Sequence, residues 1–273
     1  MIKDFEGKVV LITGATSGIG EEFCRQLAER GAVTMVSGRN LEKAEQIAFS
    51  IKEAGGQGEA LKIDTSVRPD IQKGVDTVFN KHGRLDLIIN NAGFMSMGEF
   101  YEMDDENIES MLSTNIDGVV FGCYYAYRKM KEQRFGQIVN ISSQAGLMPV
   151  PGMTAYSTTK HALIGLTSSL REEAKAFGVQ VNVVCYGLIQ SEILKKGDIR
   201  GIDVEETLNW MRFKPVKTDV AVRKTIQALK KDRPIIMIPG YTKFLSSMNR
   251  WFPSLMRVLV KRSMKEYRAM RKD

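Results

Sequence analysis

Short apolar runs alternate with amphipathic stretches along most of this chain, and the alternation predicts its fold. Each run is rich in Val, Ile or Leu and is flanked by turn-forming residues, as strands are. Most runs are apolar on both faces, which is typical of strands in a buried parallel sheet. The predicted strands cover residues 8–13, 33–38, 59–63, 85–90, 136–142, 180–185 and 235–237.

Between these strands, hydrophobic side chains recur at the three-to-four-residue spacing of helices. That spacing predicts helices over 18–30, 40–54, 68–81, 104–131, 154–177 and 217–231. The alternation of strands and helices indicates an α/β fold, a doubly wound parallel sheet with helices on both faces. No repeat or low-complexity segment interrupts residues 1–240, so we expect one domain there and a helical C-terminal extension over 241–273.

The composition fits this fold and excludes several other classes of protein. At 273 residues, with 43% hydrophobic and 26% charged side chains, the chain can bury one large core. No apolar run reaches the length that spans a bilayer, and residues 1–8 do not resemble a signal peptide. Cys24, Cys123 and Cys185 form no C-x-x-C pair, so neither a disulfide framework nor a metal site is expected. We therefore expect a cytoplasmic protein.

The basic charge is concentrated in the extension. Residues 241–273 hold nine Lys and Arg against two acids, an excess of seven that equals the net charge of +7. Residues 1–240 are therefore formally neutral, which argues against a nucleic-acid-binding body. On a helical wheel the cations fall on one side, opposite the apolar residues, and Pro253 is expected to divide the helix. These cations are Arg250, Arg257, Lys261, Lys265, Arg268 and Lys272.

A basic amphipathic helix of this kind can pack against protein or against a membrane. Its apolar face can pack on the body of the protein or on a second subunit, which we favour. It can also lie on an anionic membrane surface, so that peripheral membrane contact stays open.

A glycine-rich turn follows the first predicted strand. Gly14 and Gly18 would let the backbone approach a pyrophosphate, and Gly20 would let the next helix pack closely on the strand. Glycines of this spacing also occur in purely structural turns, but the strand before and the helix after favour nucleotide binding. The turn also contains Thr16, Ser17 and Ile19.

The end of the second strand indicates which dinucleotide would bind. NAD-binding folds place a carboxylate there to accept a hydrogen bond from the ribose 2′-hydroxyl. This chain has Ser37 and Arg39 instead. A guanidinium pairs with a 2′-phosphate and a hydroxyl can hydrogen-bond to it, so NADP(H) is favoured over NAD(H). The alternative is a solvated arginine in a loop.

Two residues near the start of a later helix have the chemistry of a proton-transfer pair. Tyr156 and Lys160 are four apart and therefore lie on one face of the helix. A nearby ammonium favours the phenolate and lowers a phenol pKa, which is ordinarily about 10. Ser143 ends the strand before this helix and could place a hydroxyl on the same substrate oxygen.

Taken together, these motifs resemble the classical short-chain dehydrogenase/reductase family over residues 7–240. The matching features, in order, are T-G-x-x-x-G-I-G at 13–20, Asp64, N-N-A-G at 90–93, Asn115, Ser142-Ser143 and Y-x-x-x-K at 156–160. The resemblance implies a Rossmann fold and an oxidoreductase that interconverts a ketone and a secondary alcohol by direct hydride transfer. It also implies a homodimer or homotetramer.

The resemblance implies a role for each of four catalytic residues. Tyr156 would be the general acid or base, and Ser143 would polarise the substrate carbonyl. Lys160 would bind the nicotinamide ribose and depress the Tyr156 pKa. Asn115 would hold a water that links Lys160 to solvent.

Further cofactor contacts follow from the same resemblance. Asp64, with Thr65, would meet the adenine, and the backbone near Ile189 and the Ser191 hydroxyl would meet the nicotinamide amide. The remaining contacts, along the adenosine ribose, would come from Asn91, Ala92 and Gly93.

This chain departs from the family pattern at three places, one of which is Ser191, where Thr is common. The usual Pro-Gly is Tyr186-Gly187 here, so Tyr186 could project into the substrate pocket. Ser17 stands where many NADP enzymes carry Lys or Arg, which counts against the NADP preference.

The substrate pocket should be walled by loops at the carboxyl ends of the later strands. These loops are apolar and rich in methionine, which suggests a lipophilic ketone or alcohol of the hydroxysteroid or fatty-acyl type. The candidate pocket residues are Met95, Met148, Met153, Tyr186 and Trp210. The alternative function is a catalytically silent NADP(H)-binding regulatory protein on the same fold.

Overall fold

Seven parallel strands form the central sheet of the protein, as seen in a computed structural model that describes residues 4–191, 193, 197–210 and 213–271. Along the chain these strands are β1 (Val9–Ile12), β2 (Val33–Gly38), β3 (Gln57–Lys62), β4 (Leu87–Asn90), β6 (Gly136–Ser143), β7 (Val179–Tyr186) and β11 (Ile235–Ile238). Four two-residue strands form two small pairs outside the sheet: β5 (Ser96–Met97) with β9 (Asp198–Ile199), and β8 (Ile189–Gln190) with β10 (Val216–Lys217).

Helices cover both faces of the sheet. They are α1 (Gly18–Ala28), α2 (Leu41–Glu53), α3 (Arg68–His82), α4 (Asp105–Leu112), α5 (Gly118–Gln133), α6 (Thr154–Ala174), α7 (Val204–Trp210), α8 (Thr218–Leu229), α9 (Gly240–Trp251) and α10 (Pro253–Ala269). Short 3₁₀ turns lie at Phe100–Glu102, Gln144–Gly146 and Lys175–Phe177. The doubly wound α/β fold predicted from the sequence is confirmed, and all seven predicted strands are present.

The order of the strands fixes where a ligand can bind. The sheet runs β11-β7-β6-β4-β1-β2-β3, so the chain builds outward from β1 in one direction and from β4 in the other. Helices that leave β1 and β4 therefore go to opposite faces of the sheet. This reversal opens a crevice beyond the carboxyl ends of these two strands.

The helix predicted over 104–131 is present, but it is not a regular α-helix along its whole length. Residues Ser113–Asp117 form a π-helical segment between α4 and α5. A π-helical segment widens the helix and is common at functional sites. It arises here where Asn115, fully buried, turns inward toward the loop after β4.

Two hydrophobic clusters lie on the two faces of the sheet, and a third lies at its carboxyl edge. The third cluster includes Met95, Met153, Tyr156 and Tyr267. It connects the substrate side of the fold to the last helix, α10.

The extension packs back on the body. Tyr267 of α10 is fully buried and lies against Gly152, whose φ of +70° places its backbone close to the tyrosine ring. Two arginines tie the end of α10 to the segment after β5: Arg268 donates to Glu99 at 2.6 Å, and Arg271 pairs with Glu102. The predicted break at Pro253 is confirmed, while Lys272 lies outside the described residues. No helix in the described part of the chain is long and apolar enough to cross a bilayer.

We expect Tyr267→Ala to lower the free energy of unfolding by about 3–5 kcal/mol, because it removes a fully buried aromatic side chain and leaves a cavity. Urea unfolding monitored by circular dichroism would measure the change. Val258→Ala, at a position 63% exposed on the same helix, is the matched control and should have little effect. An unchanged midpoint for Tyr267→Ala would mean that the extension is not part of the cooperative fold.

Candidate active site

A cavity of about 1000 Å³ occupies the crevice at the carboxyl edge of the sheet. It extends from the glycine turn after β1, past the ends of β4 and β6, to helices α9 and α10. Because one continuous space joins these elements, a long cofactor and a second ligand can meet in it.

The glycine turn is shaped by close contacts that leave no room for side chains. A Cβ on Gly14 would lie 2.7 Å from the Ala92 Cα, and one on Gly20 would overlap the Gly14 carbonyl oxygen. Asn91 supports the turn from the side, because its amide donates to the carbonyls of Thr13 and Gly14, both at 3.0 Å. The turn thus presents backbone rather than side chains to the cavity.

The amino terminus of α1 fits a phosphate group. Ser17 is the N-cap residue, but its side chain does not cap the helix. The first amides of α1 therefore keep their hydrogen-bonding capacity, and Ser17, Gly18 and Ile19 line the cavity. Gly18 has a φ of +57°, which turns the chain sharply into the helix. Free amides together with the positive end of the helix dipole form a binding site for an anion such as a pyrophosphate.

Further residues at this end of the cavity surround the place for an adenosine. Thr16, Arg39, Asp64 and Thr65 all line it. Arg39 is exposed and has no ion pair within the described part of the chain. Asp64 accepts from the Ser66 amide at 3.0 Å and from its hydroxyl at 2.7 Å, which fixes the carboxylate.

Ser37 is not where the sequence interpretation put it. Its side chain is fully buried, and its hydroxyl donates to the Ile12 carbonyl at 2.7 Å, across the β1–β2 pair. Ser37 lies within β2 and points into the fold, whereas Gly38 ends the strand and Arg39 follows it, and both line the cavity. Ser37 is therefore not placed to donate a hydrogen bond to a 2′-phosphate.

Tyr156 and Ser143 meet at the centre of the cavity wall. Tyr156 lies in the first turn of α6, and Ser143 ends β6. Burial raises the pKa of Tyr156 to about 12, and a hydrogen bond with the Ser143 hydroxyl offsets part of that rise. The phenol is thus protonated at neutral pH, and two hydroxyls face one point in the cavity.

Lys160 lies one helical turn after Tyr156 and is 4% exposed. Its Nζ donates to the Ile141 carbonyl at 3.1 Å and lies 5.5 Å from the centroid of the Tyr156 ring. Burial lowers the pKa of Lys160 to about 8. The Lys160 ammonium donates to Ile141 and not to the Tyr156 hydroxyl, so the expectation that Lys160 depresses the Tyr156 pKa stays a prediction.

Asn115 holds the loop after β4 rather than facing the cavity. Its amide donates to the Phe94 carbonyl at 2.8 Å, and its carbonyl oxygen accepts from the Phe94 amide at 3.0 Å. A third contact, 3.3 Å long, reaches the Thr159 hydroxyl beside Lys160. Both N–H groups of the Asn115 amide are therefore committed to protein partners.

The loop after β7 is held by a residue that the sequence analysis missed. Tyr186 lines the cavity, but its hydroxyl is directed away from it and pairs with Thr225 of α8 at 2.6 Å. The loop is instead held by Tyr241, whose hydroxyl accepts from the Leu188 amide at 2.7 Å. Tyr241 stacks on Phe213 with ring centroids 4.0 Å apart, and beyond this pair Ile189 and Ser191 line the cavity.

The substrate end of the cavity is apolar. Met95, Met148, Met153 and Trp210 line it as predicted. The extension completes the wall with side chains that the sequence analysis did not assign to the pocket: Leu245, Met256, Leu259 and Val260. The amphipathic pattern predicted helices there, but no local signal indicated what their apolar side would cover.

Comparison with known proteins supports the interpretation of these motifs. The family model described as short chain dehydrogenase matches residues 8–199. An uncharacterized oxidoreductase of Thermotoga maritima is 41% identical over 189 residues, which are 69% of this chain and 74% of that protein. A 3beta-hydroxysteroid dehydrogenase of Mediterraneibacter gnavus is 34% identical over 182 residues, 66% of each chain.

Solved structures share the fold over nearly the whole chain. A short chain dehydrogenase/reductase from Burkholderia phymatum in complex with NAD superimposes with a TM-score of 0.84 at 22% identity, covering 93% of this chain and 97% of that one. A short-chain dehydrogenase from Sphingobium yanoikuyae in complex with NADPH gives a TM-score of 0.78 at 26% identity, covering 92% and 95%. Both of these structures are complexes with a nicotinamide dinucleotide, NAD in the first and NADPH in the second.

We expect Lys160→Met to stabilise the cofactor-free protein at neutral pH, because it removes a buried ammonium. Burial lowers the Lys160 pKa from 10.5 to about 8, so between these values the unfolded chain binds the additional proton. The advantage of the variant, on the order of 3 kcal/mol, is fully present below pH 8 and is lost as the pH rises toward 10.5.

Urea unfolding of both proteins across this pH range would measure the difference in stability. Lys73→Met, at an exposed position on α3, is the control and should give a much smaller difference in stability. A pH-independent difference for Lys160→Met would contradict the low pKa.

Proposed function

Because the chain belongs to the short chain dehydrogenase family, we propose that it uses NADP(H) to interconvert a lipophilic ketone and its secondary alcohol, with Tyr156 transferring the proton. The reaction class comes with membership of the family: the chain is an NAD(P)-dependent oxidoreductase acting on CH–OH groups. The observation that carries the assignment of roles is the meeting of Tyr156 and Ser143 at one point of the cavity wall, with Lys160 behind them.

The route of the proton follows from the protonation state of these side chains. In ketone reduction, the Ser143 hydroxyl donates to the carbonyl oxygen and the protonated Tyr156 phenol delivers the proton to it. A phenol pKa raised to about 12 keeps Tyr156 in the protonated form that reduction requires. The bound nicotinamide would supply the hydride, and the glycine turn and α1 would position it. Alcohol oxidation needs the phenolate and is therefore favoured by higher pH.

The substrate class is inferred from the distribution of charged side chains along the cavity. Among the described residues that line it, only Arg39, Asp64 and Lys160 are charged, and all three lie on the proposed cofactor side. The substrate side offers methionines, Trp210 and the apolar residues of the extension, with no described partner for a carboxylate or phosphate. An uncharged, lipophilic carbonyl compound suits such a wall. The relative named as a 3beta-hydroxysteroid dehydrogenase supports a substrate of this type.

The preference for NADP(H) is argued from Arg39. This guanidinium is exposed at the rim of the cavity, next to Thr16 and Asn40, and no carboxylate follows β2 to accept from a ribose 2′-hydroxyl. A 2′-phosphate at this place would gain a charge-assisted hydrogen bond.

Tyr156→Phe should lower kcat for ketone reduction by about 10²–10⁴-fold, because the proton donor is removed while the ring is kept. Oxidation of NADPH followed by absorbance, with panels of steroid, acyl-thioester and small ketones, would measure it. Tyr186→Phe is the matched control: it makes the same change at a tyrosine whose hydroxyl is committed to Thr225. It should cost about 1 kcal/mol of stability and leave kcat unchanged. Turnover that survives Tyr156→Phe would refute the mechanism.

Arg39→Leu should lower kcat/KM for NADPH by about tenfold to a hundredfold and leave kcat/KM for NADH nearly unchanged, because only NADPH carries the 2′-phosphate. Steady-state kinetics with both cofactors would test this. Lys43→Leu is a suitable control, since Lys43 is exposed on the neighbouring helix α2 and does not line the cavity. An equal loss with both cofactors would argue against the phosphate contact.

A further inference from the structure

A cluster of exposed apolar side chains lies at the corner where α9 meets α10. Six of the fifteen large hydrophobic side chains that the described residues expose fall within residues 244–259. We call five of them the apolar corner: Trp251 (72% exposed), Phe252 (58%), Leu255 (50%), Val258 (63%) and Leu259 (43%). Exposed apolar side chains are ordinary when scattered, but a contiguous group of them marks an interaction surface.

Cations that form no ion pair flank the apolar corner. Arg257, Lys261 and Lys265 are exposed at four-residue spacing along one side of α10, and Arg250 lies at the end of α9. None of the four forms an ion pair with another described residue, whereas Arg268 and Arg271 are held by Glu99 and Glu102. The extension therefore presents apolar side chains beside free positive charge.

The positive charge of these cations favours one of two possible binding partners for this surface. A second copy of this chain, docked through a two-fold axis, would place the same surface against itself and bring Arg257 and Lys261 toward their own equivalents. An anionic bilayer would instead pair these cations with lipid headgroups while the aromatic and aliphatic side chains enter the interface. We propose that the apolar corner and its flanking cations dock the protein on an anionic membrane surface.

The docking surface borders the cavity. Leu259 is 43% exposed and also lines the cavity, and Met256 and Val260 line it from the same stretch of α10. On the membrane, the substrate side of the cavity would lie beside the lipid, where a lipophilic ketone or alcohol is concentrated. This link to the substrate rests on the proposed function, whereas the docking itself does not.

Sedimentation with lipid vesicles tests the docking on the whole protein. Binding should be strong to vesicles of phosphatidylcholine and phosphatidylserine in equal parts, weak to phosphatidylcholine alone, and reduced by high salt. Arg257→Glu/Lys261→Glu should lower the partition coefficient on the mixed vesicles by about tenfold or more. Lys52→Glu/Lys73→Glu makes the same charge change at exposed positions of the body and serves as the control.

Tryptophan fluorescence tests which side chains enter the lipid. The chain has two tryptophans, so Trp210→Phe leaves Trp251 as the only one. Its emission should shift to shorter wavelength on the mixed vesicles. Leu255→Ser/Val258→Ser should weaken binding by about tenfold or more, while Phe49→Ala, at a position 64% exposed on α2, should not.

The proposal would be overturned if the protein did not bind the mixed vesicles, or if neither double variant of the extension changed the binding. It would also be overturned if the protein self-associated without binding vesicles and Leu255→Ser/Val258→Ser abolished the self-association. NADPH-dependent reduction of a water-soluble ketone, assayed on the same preparations, separates this proposal from the proposed function. Activity without vesicle binding would refute only the docking, and vesicle binding without activity toward any ketone would refute only the function.

Discussion

The site depends on a group of hydrogen bonds that ties together the ends of two neighbouring parallel strands. Beyond the ends of β1 and β4, the Thr13 hydroxyl accepts from the amides of Asn91 and Ala92 at 3.0 and 3.1 Å, and the Asn91 side chain returns two hydrogen bonds to the glycine turn. The tie lies where the order of the strands reverses, so it holds together the two halves of the crevice. It brings the anion-binding end of α1 and the loop that covers Lys160 into one rigid frame.

Burial then sets the chemistry within this frame. Tyr156 and Lys160 are both nearly excluded from water, and their pKa values move apart, up to about 12 for the phenol and down to about 8 for the ammonium, because burial penalises each charged form. A bound dinucleotide with its negative charges would favour the ammonium again. A charged cofactor can thus change the protonation of this pair, in contrast to a dyad in which both groups are always ionised.

The sequence could predict the strands and the position of each motif because these follow from local periodicity and from turn chemistry. It could not predict directions that depend on packing. Ser37 and Arg39 are two residues apart, but the first is used within the sheet and the second reaches solvent. Tyr186 stands where a proline is usual, and only the position of Thr225 on α8 shows why its hydroxyl turns away. The covering of the substrate side by α10 depends on contacts between residues more than a hundred positions apart, such as Arg268 with Glu99.

The π-helical segment at Ser113–Asp117 limits how this helix can evolve in length. A π-helical turn holds one residue more than an α-helical turn, so deleting a residue there would restore regular hydrogen bonding along the backbone. Because the extra residue is taken up within one wider turn, α4 and α5 would keep their buried faces after such a deletion, but side chains inside the segment would change direction. Met111, fully buried in the third cluster, and the buried face of α5 would then stay in place, whereas Asn115 would no longer be held where it bonds Phe94. Substitutions can therefore accumulate along this helix, but its residue count between Met111 and Gly118 is fixed by the position that Asn115 must take.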